Sequence, residues 1–430
     1  MTFLFDIILI IVSIFIAYKS YKSVVFNKNF SIASLLILVI FIFNVLPIIL
    51  NYIIGIPDYK VIYWYKPFIN PMKNDIVNTI YDLYILFSLI LLYIYAERFN
   101  KLNLNKVSAF KKSESYQLIF NNNIFCFIAI LSPIILIFMT GTWRNYLTYN
   151  ISATRGLSES ASSMFMTPLL LLSTFTFYSR FYNDKKINFL KLFLTFVYFF
   201  FIIWLSGKRF MLANLSILLI FYASKGDLNL KIRKKIFKIL PLIFIGILSF
   251  SYVYLTVVRP LKDTSFSSVY DMLRVDFGRD DVVKYVINEE IINDNRILDY
   301  RGQSFISLFL FMIPRKIWPN KPYPHYMYLT GHLLNLNINN LPAGTTPSWY
   351  EMCICNFGVF GIFIGILFLP FICKIADKSR NIDTKAIWLI LLIVLLTQSM
   401  DAYIVYIFIL VFVEFLNALF GGKKIKIKVR

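Results

Sequence analysis

Apolar runs separated by short polar segments follow one another along the whole chain. In most of them the apolar residues occupy every side of a helix for about 17–22 residues, the length that crosses a bilayer. Backbone amides inside hydrocarbon must be paired within their own segment, and the runs lack the alternation of a membrane barrel, so we expect helices. The pattern predicts an all-α, polytopic membrane protein of about 11 (10 to 12) transmembrane helices. The predicted spans are 3–18, 32–51, 76–95, 122–140, 164–180, 190–206, 210–224, 239–258, 350–373, 386–400 and 402–420.

Composition and charge agree with this class of protein. Hydrophobic residues make up 58% of the chain, charged residues 16%, and the mean hydropathy is +0.68, a balance that a water-soluble domain cannot solvate. One alternate set of loops holds 27 of the 44 Lys and Arg residues and is therefore predicted to be cytoplasmic, with the N-terminus outside and the C-terminus inside. Because the net charge of +21 is spread in clusters beside the spans, we expect membrane lipid as its partner and no nucleic acid.

Residues 1–430 are predicted to form a single polytopic membrane domain, with one large outer loop at 259–349 between the eighth and ninth spans. Within that loop, 271–290 has the pattern of an amphipathic helix, which predicts that several of its charges form a solvated face. The apolar stretch 304–313 is too short to span and is stopped by Pro314, as in a re-entrant or interface-lying helix. Four prolines between 314 and 324 then predict a stiff extended strip.

Basic residues on the predicted outer face are the first candidates for function. The tight turn Ser206–Gly207–Lys208–Arg209 holds Lys208 and Arg209 at the membrane edge. There they either bind a diphosphate, Arg through planar bidentate hydrogen bonds and Lys as a point charge, or extend to lipid phosphates and anchor the hairpin. The other outward candidates are Arg144, Arg155, Arg259, Arg279, Arg315 and Lys321, with Trp318 beside the last two.

Two residues could accept a proton. Glu351 lies at the outer mouth of a predicted helix, and His325 lies in the outer loop. Glu351 could equally be the structural partner of an arginine, and His325 a surface residue. The Asp280–Asp281 pair lies between basic residues, which predicts an ion-pair network and no metal site. The four cysteines lie in or beside predicted helices and are expected to pack there, so no metal and no cofactor is expected.

A set of short motifs late in the chain resembles a known family. The pattern runs from Ile313–Pro314–Arg315 through Trp318–Pro319 to Lys321–Pro322, then to Trp349, Glu351 and Asn356–Phe357–Gly358. It resembles the Wzy-type O-antigen or oligosaccharide repeat-unit polymerases of bacterial envelopes, to which the Gly207–Lys208–Arg209 turn and the large late outer loop are also similar. That family usually has an even number of helices with both ends inside. The eleven spans predicted here depart from it, and the first span is the one in question.

The resemblance implies a metal-independent glycosyltransferase of lipopolysaccharide or other surface-polysaccharide biosynthesis. It would transfer the growing glycan from polyprenyl diphosphate to an incoming lipid-linked repeat unit, in the bacterial inner membrane with its active site facing the periplasm. A chain-length regulator would be a further partner. The outer cations, Arg209 foremost as a catalytic residue, would stabilise the diphosphate leaving group, and Glu351 or His325 would take the proton of the acceptor hydroxyl. A flippase or transporter of lipid-linked oligosaccharide, or a related envelope glycan ligase, remains an alternative.

Overall fold

A computed structural model provides the three-dimensional description of this chain. The residues that it describes are 2–27, 30–60, 62–103, 123–141, 166, 169–170, 172–178, 189–206, 215–222, 249, 265–310, 313, 315–341, 344–379, 382–398, 404 and 406–411. Within these ranges every regular element is a helix or a helical turn. The chain divides into two compact units, residues 1–107, 252–378 and 391–406 in the first, and residues 108–251, 379–390 and 407–430 in the second.

Among the described residues, four helices are long and apolar enough to cross a membrane: Thr2–Phe26, Ile32–Ile53, Asp75–Leu102 and Phe360–Lys378. They establish a helical membrane protein and match four of the predicted spans. Shorter apolar helices at Cys126–Met139, Phe193–Ile202 and Thr384–Thr397 fall within three more. The predicted spans 210–224 and 402–420 lie partly, and 239–258 almost entirely, outside the described residues. The count of about eleven stays a prediction.

The first unit begins with a bundle of spanning helices. Helix α1 is Thr2–Phe26, and the second span consists of α2 (Ile32–Ile40), a π-helical turn (Phe41–Val45) and α3 (Leu46–Ile53). A 3-10 turn (Tyr63–Phe68), α4 (Ile69–Lys73) and the long α5 (Asp75–Asn103) follow. The π turn lies just before Pro47, which has no N–H to donate to the carbonyl of Phe43 four residues earlier. That carbonyl accepts a hydrogen bond from the backbone N–H of Arg279 instead, at 3.0 Å.

The segment 265–349 contains short helices, as the sequence predicts for the outer loop. Helices α6 and α7 belong to the second unit and are given below. In the order of the chain, the helices of this segment are α8 (Phe266–Phe277), α9 (Asp280–Ile287) with a π turn (Asn288–Ile292), α10 (Gln303–Phe309), α11 (His325–Leu334) and a 3-10 turn (Ile338–Asn340). The single amphipathic helix predicted at 271–290 is therefore wrong, because the chain bends at Gly278–Arg279 and divides it into α8 and α9.

Two helices meet where one span was predicted at 350–373. Helix α12 is Trp349–Phe357 and α13 is Phe360–Lys378. Between them Gly358 has φ +60°, a left-handed conformation that glycine adopts without strain. The chain then doubles back so closely that a side chain on Gly361 would overlap the backbone of Cys353. The spanning helix therefore begins at Phe360, and Glu351 lies on the helix before it.

The second unit is described in part. It contains α6 (Asn123–Met139), α7 (Phe189–Ser206) and helical residues at 172–178 and 215–222, while α14 (Ile382–Thr397) begins in this unit and ends in the first. Tyrosines hold these pieces together: the ring of Tyr198 stacks on Phe177 at 4.0 Å, and the hydroxyl of Tyr178 donates to the carbonyl of Leu215 at 2.7 Å. The hydroxyl of Tyr178 thus finds a partner inside the bundle, as apolar surroundings favour.

Candidate functional site

The charges of α8 and α9 form a cluster inside the first unit. Arg274 donates two hydrogen bonds to the carboxylate of Asp280, each 3.0 Å long, and the ammonium of Lys284 lies 3.9 Å from the same carboxylate. All three side chains are buried. The predicted ion-pair network around Asp280 is present. The predicted solvated face is wrong, because the helices turn these charges inward against α5, α12 and one another rather than toward water.

Asp281 connects this cluster to the loop after the second span. The hydroxyl of Tyr59 donates to Asp281 at 2.9 Å, and both side chains are buried. Burial and the neighbouring Asp280 raise the pKa of Asp281 to about 6. Arg274, Asp280, Asp281 and Lys284 are called the buried charge cluster below. The Lys284 ammonium also lies over the ring of Tyr81 on α5, 4.9 Å from its centre, which attaches the cluster to a spanning helix.

Arg279, a candidate for substrate binding, lies in the interior. Its guanidinium donates from Nε to the carbonyl of Thr397 at 3.0 Å and from Nη1 to the carbonyl of Val275 at 3.2 Å. It also lies over the ring of Phe43, 5.6 Å from the centre, and only 3% of its surface is exposed. The described contacts of this arginine are with main-chain oxygens and an aromatic ring, so its position joins α8 and α9 to the second span and to Thr397.

Glu351 begins α12 in a capping box with Ser348. The backbone N–H and the hydroxyl of Ser348 each donate to one carboxylate oxygen of Glu351, and the side chain is fully buried. Burial raises the pKa of Glu351 to about 7, although the hydrogen bonds from Ser348 and the nearby Arg279 oppose that rise. The carboxyl group has a pKa suited to proton transfer, and its two oxygens hold the first turn of a helix.

His325 is buried and uncharged. It stands at the start of α11, and its Nδ1 lies 2.8 Å from the hydroxyl oxygen of Ser304. Burial lowers the pKa of His325 to about 4, and its Nε2 has no hydrogen-bond partner among the described residues. The backbone N–H of Ser304 donates in turn to the side chain of Asn356 at 3.1 Å. Helix α12 thus carries Glu351 in its first turn and supports His325 through Asn356 near its end.

The strip that follows α10 presents cations at the surface. Arg315 lies over the ring of Tyr323, 3.7 Å from its centre, and donates to the carbonyl of Lys321 at 2.6 Å. Lys321 donates to the carbonyl of Ile313 at 3.1 Å, and partial burial together with Arg315 lowers its pKa. Lys316 is exposed, and Trp318 is half-buried. We call residues 313–323 the cationic strip. No Asp or Glu occurs in the sequence between Asp299 and Glu351, so no acid of its own segment neutralises it.

The structure brings some candidates together and leaves others undescribed. Arg279 and Glu351 interact electrostatically around α9 and α12, whereas Arg315, Lys321 and Trp318 share the strip. Lys208, Arg209, Arg144, Arg155 and Arg259 lie outside the described residues.

Ser304 and Asn356, which position His325, were not identified from the sequence, because nothing in their spacing marks a contact between segments so far apart. Arg301 was not among the candidate residues, yet it pairs with Glu290 and donates to the carbonyl of Cys355 at 2.7 Å.

Within the described residues no group of three or more His, Cys, Asp or Glu side chains is placed to hold a metal ion, and all four cysteines are free and buried. Comparison with protein-family models, with curated proteins and with solved structures finds no match for this chain.

Proposed function

We propose that this membrane protein is a glycosyltransferase that polymerises lipid-linked oligosaccharide repeat units. In this proposal the growing glycan leaves polyprenyl diphosphate and joins the incoming lipid-linked unit on the periplasmic side of the inner membrane. The observation that carries the proposal is the cationic strip: Arg315, Lys316 and Lys321 lie within seven residues of sequence, in a stretch without any acid from 300 to 350.

A strip of this kind suits a diphosphate leaving group. Negative charge grows on the diphosphate as the glycosidic bond breaks, and fixed cations stabilise that transition state more than the ground state. Arg315 is already held in place by the ring of Tyr323 and by the carbonyls of Lys321 and Pro322, so little conformational entropy remains to be lost on binding. The half-buried Trp318 adds an aromatic surface beside these charges.

The acceptor hydroxyl must lose a proton, and His325 and Glu351 are the candidate bases. The Nε2 of His325 makes no hydrogen bond within the described residues, but it is buried, and the pKa of about 4 that burial gives the imidazole makes it a weak base near pH 7. Glu351 has the more suitable pKa, but both of its oxygens already accept hydrogen bonds from Ser348. The metal-independent reaction expected from the sequence remains part of the proposal.

The experiment that tests this proposal is the glycan profile of cells that lack the gene, on a gel that separates surface polysaccharide by repeat number. Deletion should collapse the ladder to a single repeat, and the wild-type gene should restore it. Arg315→Ala should yield about 100-fold less polymer at equal protein levels, since removal of one donor to a developing oxyanion costs roughly that factor. Lys60→Ala is the matched control, because Lys60 forms an exposed ion pair with Asp58 outside the strip.

Two results would contradict the proposal in different ways. A full ladder with Arg315→Ala would remove the strip from the diphosphate site. Loss of even the single repeat in the deletion strain would favour a flippase or a glycan ligase over a polymerase.

A further inference from the structure

Helix α10 has its polar and apolar faces reversed relative to a helix of a water-soluble protein. Its buried side chains are Gln303, Ser304 and Ser307, with Gln303 and Ser304 only 2% and 1% exposed. Its outward side chains are apolar: Ile306 is exposed, and Phe309 is 78% exposed. A surface helix in water places apolar residues inward, whereas a helix against hydrocarbon can place them outward.

Two of the three inward polar side chains, Gln303 and Ser304, have partners inside the protein. The amide of Gln303 donates to Asp299 at 2.8 Å and to the hydroxyl of Tyr328 at 2.7 Å. Ser304 holds His325 through its hydroxyl. These bonds fix the rotation of α10 about its axis, so the outward direction of Phe309 is set by the contacts on the opposite face.

The apolar face of α10 continues the surface of a spanning helix. Phe305 packs on Phe357, with ring centres 5.6 Å apart, and lies beside Trp349, which stacks on Phe368 of α13 at 4.2 Å. Helix α13 starts just beyond Phe357, and its exposed residues form one stripe at helical spacing: Phe360, Phe363, Leu367 and Phe371. This stripe faces the hydrocarbon if α13 crosses the membrane. Helix α10 lies near the N-terminal end of α13, where the stripe begins.

The cationic strip completes the pattern expected at a membrane surface. Ile317 is 76% exposed between the cations Arg315 and Lys316 on one side and Trp318 on the other. Apolar side chains next to basic residues and tryptophan are typical of segments that lie among lipid headgroups. The absence of acids from 300 to 350 removes the repulsion that an anionic lipid surface would otherwise meet.

We propose that the described residues 303–310, 313 and 315–321 form a membrane-interface platform, in which Phe309 and Ile317 enter the acyl-chain region and Arg315 and Lys316 contact lipid phosphate groups. The platform lies at the end of α13 that begins at Phe360. It places the cations of the strip at the depth of lipid phosphates. This proposal concerns the location of the segment and holds whether or not the protein is a polymerase.

Fluorescence quenching in liposomes of phosphatidylcholine and phosphatidylglycerol tests it. The full-length protein would carry an environment-sensitive fluorophore on a single introduced cysteine, at Phe309→Cys or Ile317→Cys; the four native cysteines are buried and react poorly. Phe363→Cys on α13 is the lipid-facing control. Leu336→Cys, exposed in the turn after α11, is the water-facing control.

Lipids with a quencher on the acyl chain should quench the labels at 309 and 317 nearly as well as the label at 363, and aqueous iodide should quench them several-fold less than the label at 336. Quenching by iodide at the level of position 336 would overturn the proposal. Protection of the labels from both quenchers would also overturn the proposal, because it would mean that protein covers these residues.

Phosphatidylglycerol that carries a quencher should quench the labels at 309 and 317 more strongly than phosphatidylcholine that carries the same quencher. This preference should vanish in the double variant Arg315→Gln/Lys316→Gln. Equal quenching by the two lipids in the wild-type sequence would exclude the phosphate contact.

Discussion

The buried charge cluster and the cationic strip contain the same kinds of cation and treat them in opposite ways. In the cluster, Arg274 and Lys284 share one carboxylate, Asp280, and are shielded from solvent. In the strip, Arg315 bonds to main-chain oxygens and an aromatic ring, and no acid lies in the surrounding sequence. In the cluster the positive charge is neutralised by a carboxylate of the protein itself. In the strip the positive charge remains available to a ligand.

This difference separates cations that support the fold from cations available to a ligand. A buried ion pair contributes little net stability when intact, yet it becomes very unfavourable when one partner is removed. An exposed cation changes stability little when it is removed. Stability measurements on variants of the two regions should therefore diverge, and the following experiments run from the largest expected effect to the smallest.

Asp280→Ala should have the largest effect. It leaves Arg274 and Lys284 buried without their shared carboxylate, which should lower the free energy of unfolding by about 3–5 kcal/mol. Thermal unfolding of the purified protein in detergent measures this, with Asp294→Asn as control, since Asp294 is exposed and its positive φ suits asparagine. If Asp280→Ala yields no folded protein, Asp280→Asn is the milder change to measure, because it removes the charge and keeps the size of the side chain. Equal stability of Asp280→Ala and the control would show that the cluster does not need its acid.

Glu351→Gln should change how stability depends on pH. The folded-state pKa of Glu351, about 7, lies above the value of about 4.3 expected in the unfolded chain. The stability that the protonated Glu351 contributes is thus fully present below pH 4 and is lost as the pH rises toward 7, a loss of about 4 kcal/mol. Glutamine keeps the capping box and cannot ionise. Between pH 5 and pH 8 the wild-type protein should lose stability relative to Glu351→Gln; parallel curves would contradict the raised pKa.

Tyr59→Phe tests the edge of the buried charge cluster. It removes the hydroxyl that donates to Asp281 and should cost about 2 kcal/mol at neutral pH, because a buried carboxylate loses a hydrogen bond. The loss should shrink near pH 5, where Asp281 is protonated. Tyr63→Phe, on an exposed ring in the same loop, is the matched control. If Tyr59→Phe loses the same stability at every pH, the hydrogen bond from Tyr59 to Asp281 is not the cause of that loss.

Arg315→Ala should have the smallest effect on stability, below about 0.5 kcal/mol, because water can replace its hydrogen bonds at the surface. The same variant should lose polymer formation. A large loss of stability would place Arg315 with the structural cations and end the contrast between the two regions.

The sequence predicted the parts of the fold that depend on apolar length. The runs at 3–18, 32–51 and 76–95 lie in helices long and apolar enough to cross a membrane, because the length of an apolar run can be read directly from the sequence. The ion pairing of Asp280 was also predicted, because acids alternate with bases there. The burial of these charged side chains was not predicted, because the amphipathic pattern of 271–290 shows which residues share a face but not what covers that face.

The site was less accessible to sequence reasoning. Gly358 gave no sign that the span predicted at 350–373 would divide, which moved Glu351 out of the spanning helix. His325 was expected in a loop, but it is buried at the start of α11 and bonded to Ser304, which is itself bonded to Asn356 far along the chain. The cations of the strip were candidates from the sequence, but the stiff extended path predicted between 314 and 324 is wrong in part, because residues 315–317 and 319–320 form turns and the N–H of Lys321 donates to the carbonyl of Trp318.

The two anchors of Arg279 lie far apart along the chain. Its backbone N–H donates to the carbonyl of Phe43, and its guanidinium donates to the carbonyl of Thr397, which lies 118 residues after Arg279. The contact with Phe43 can form as soon as residue 279 has been made, but the contact with Thr397 must wait until residue 397 has left the ribosome. A chain truncated before α14 should therefore keep the hydrogen bond to Phe43 and lack the one to Thr397.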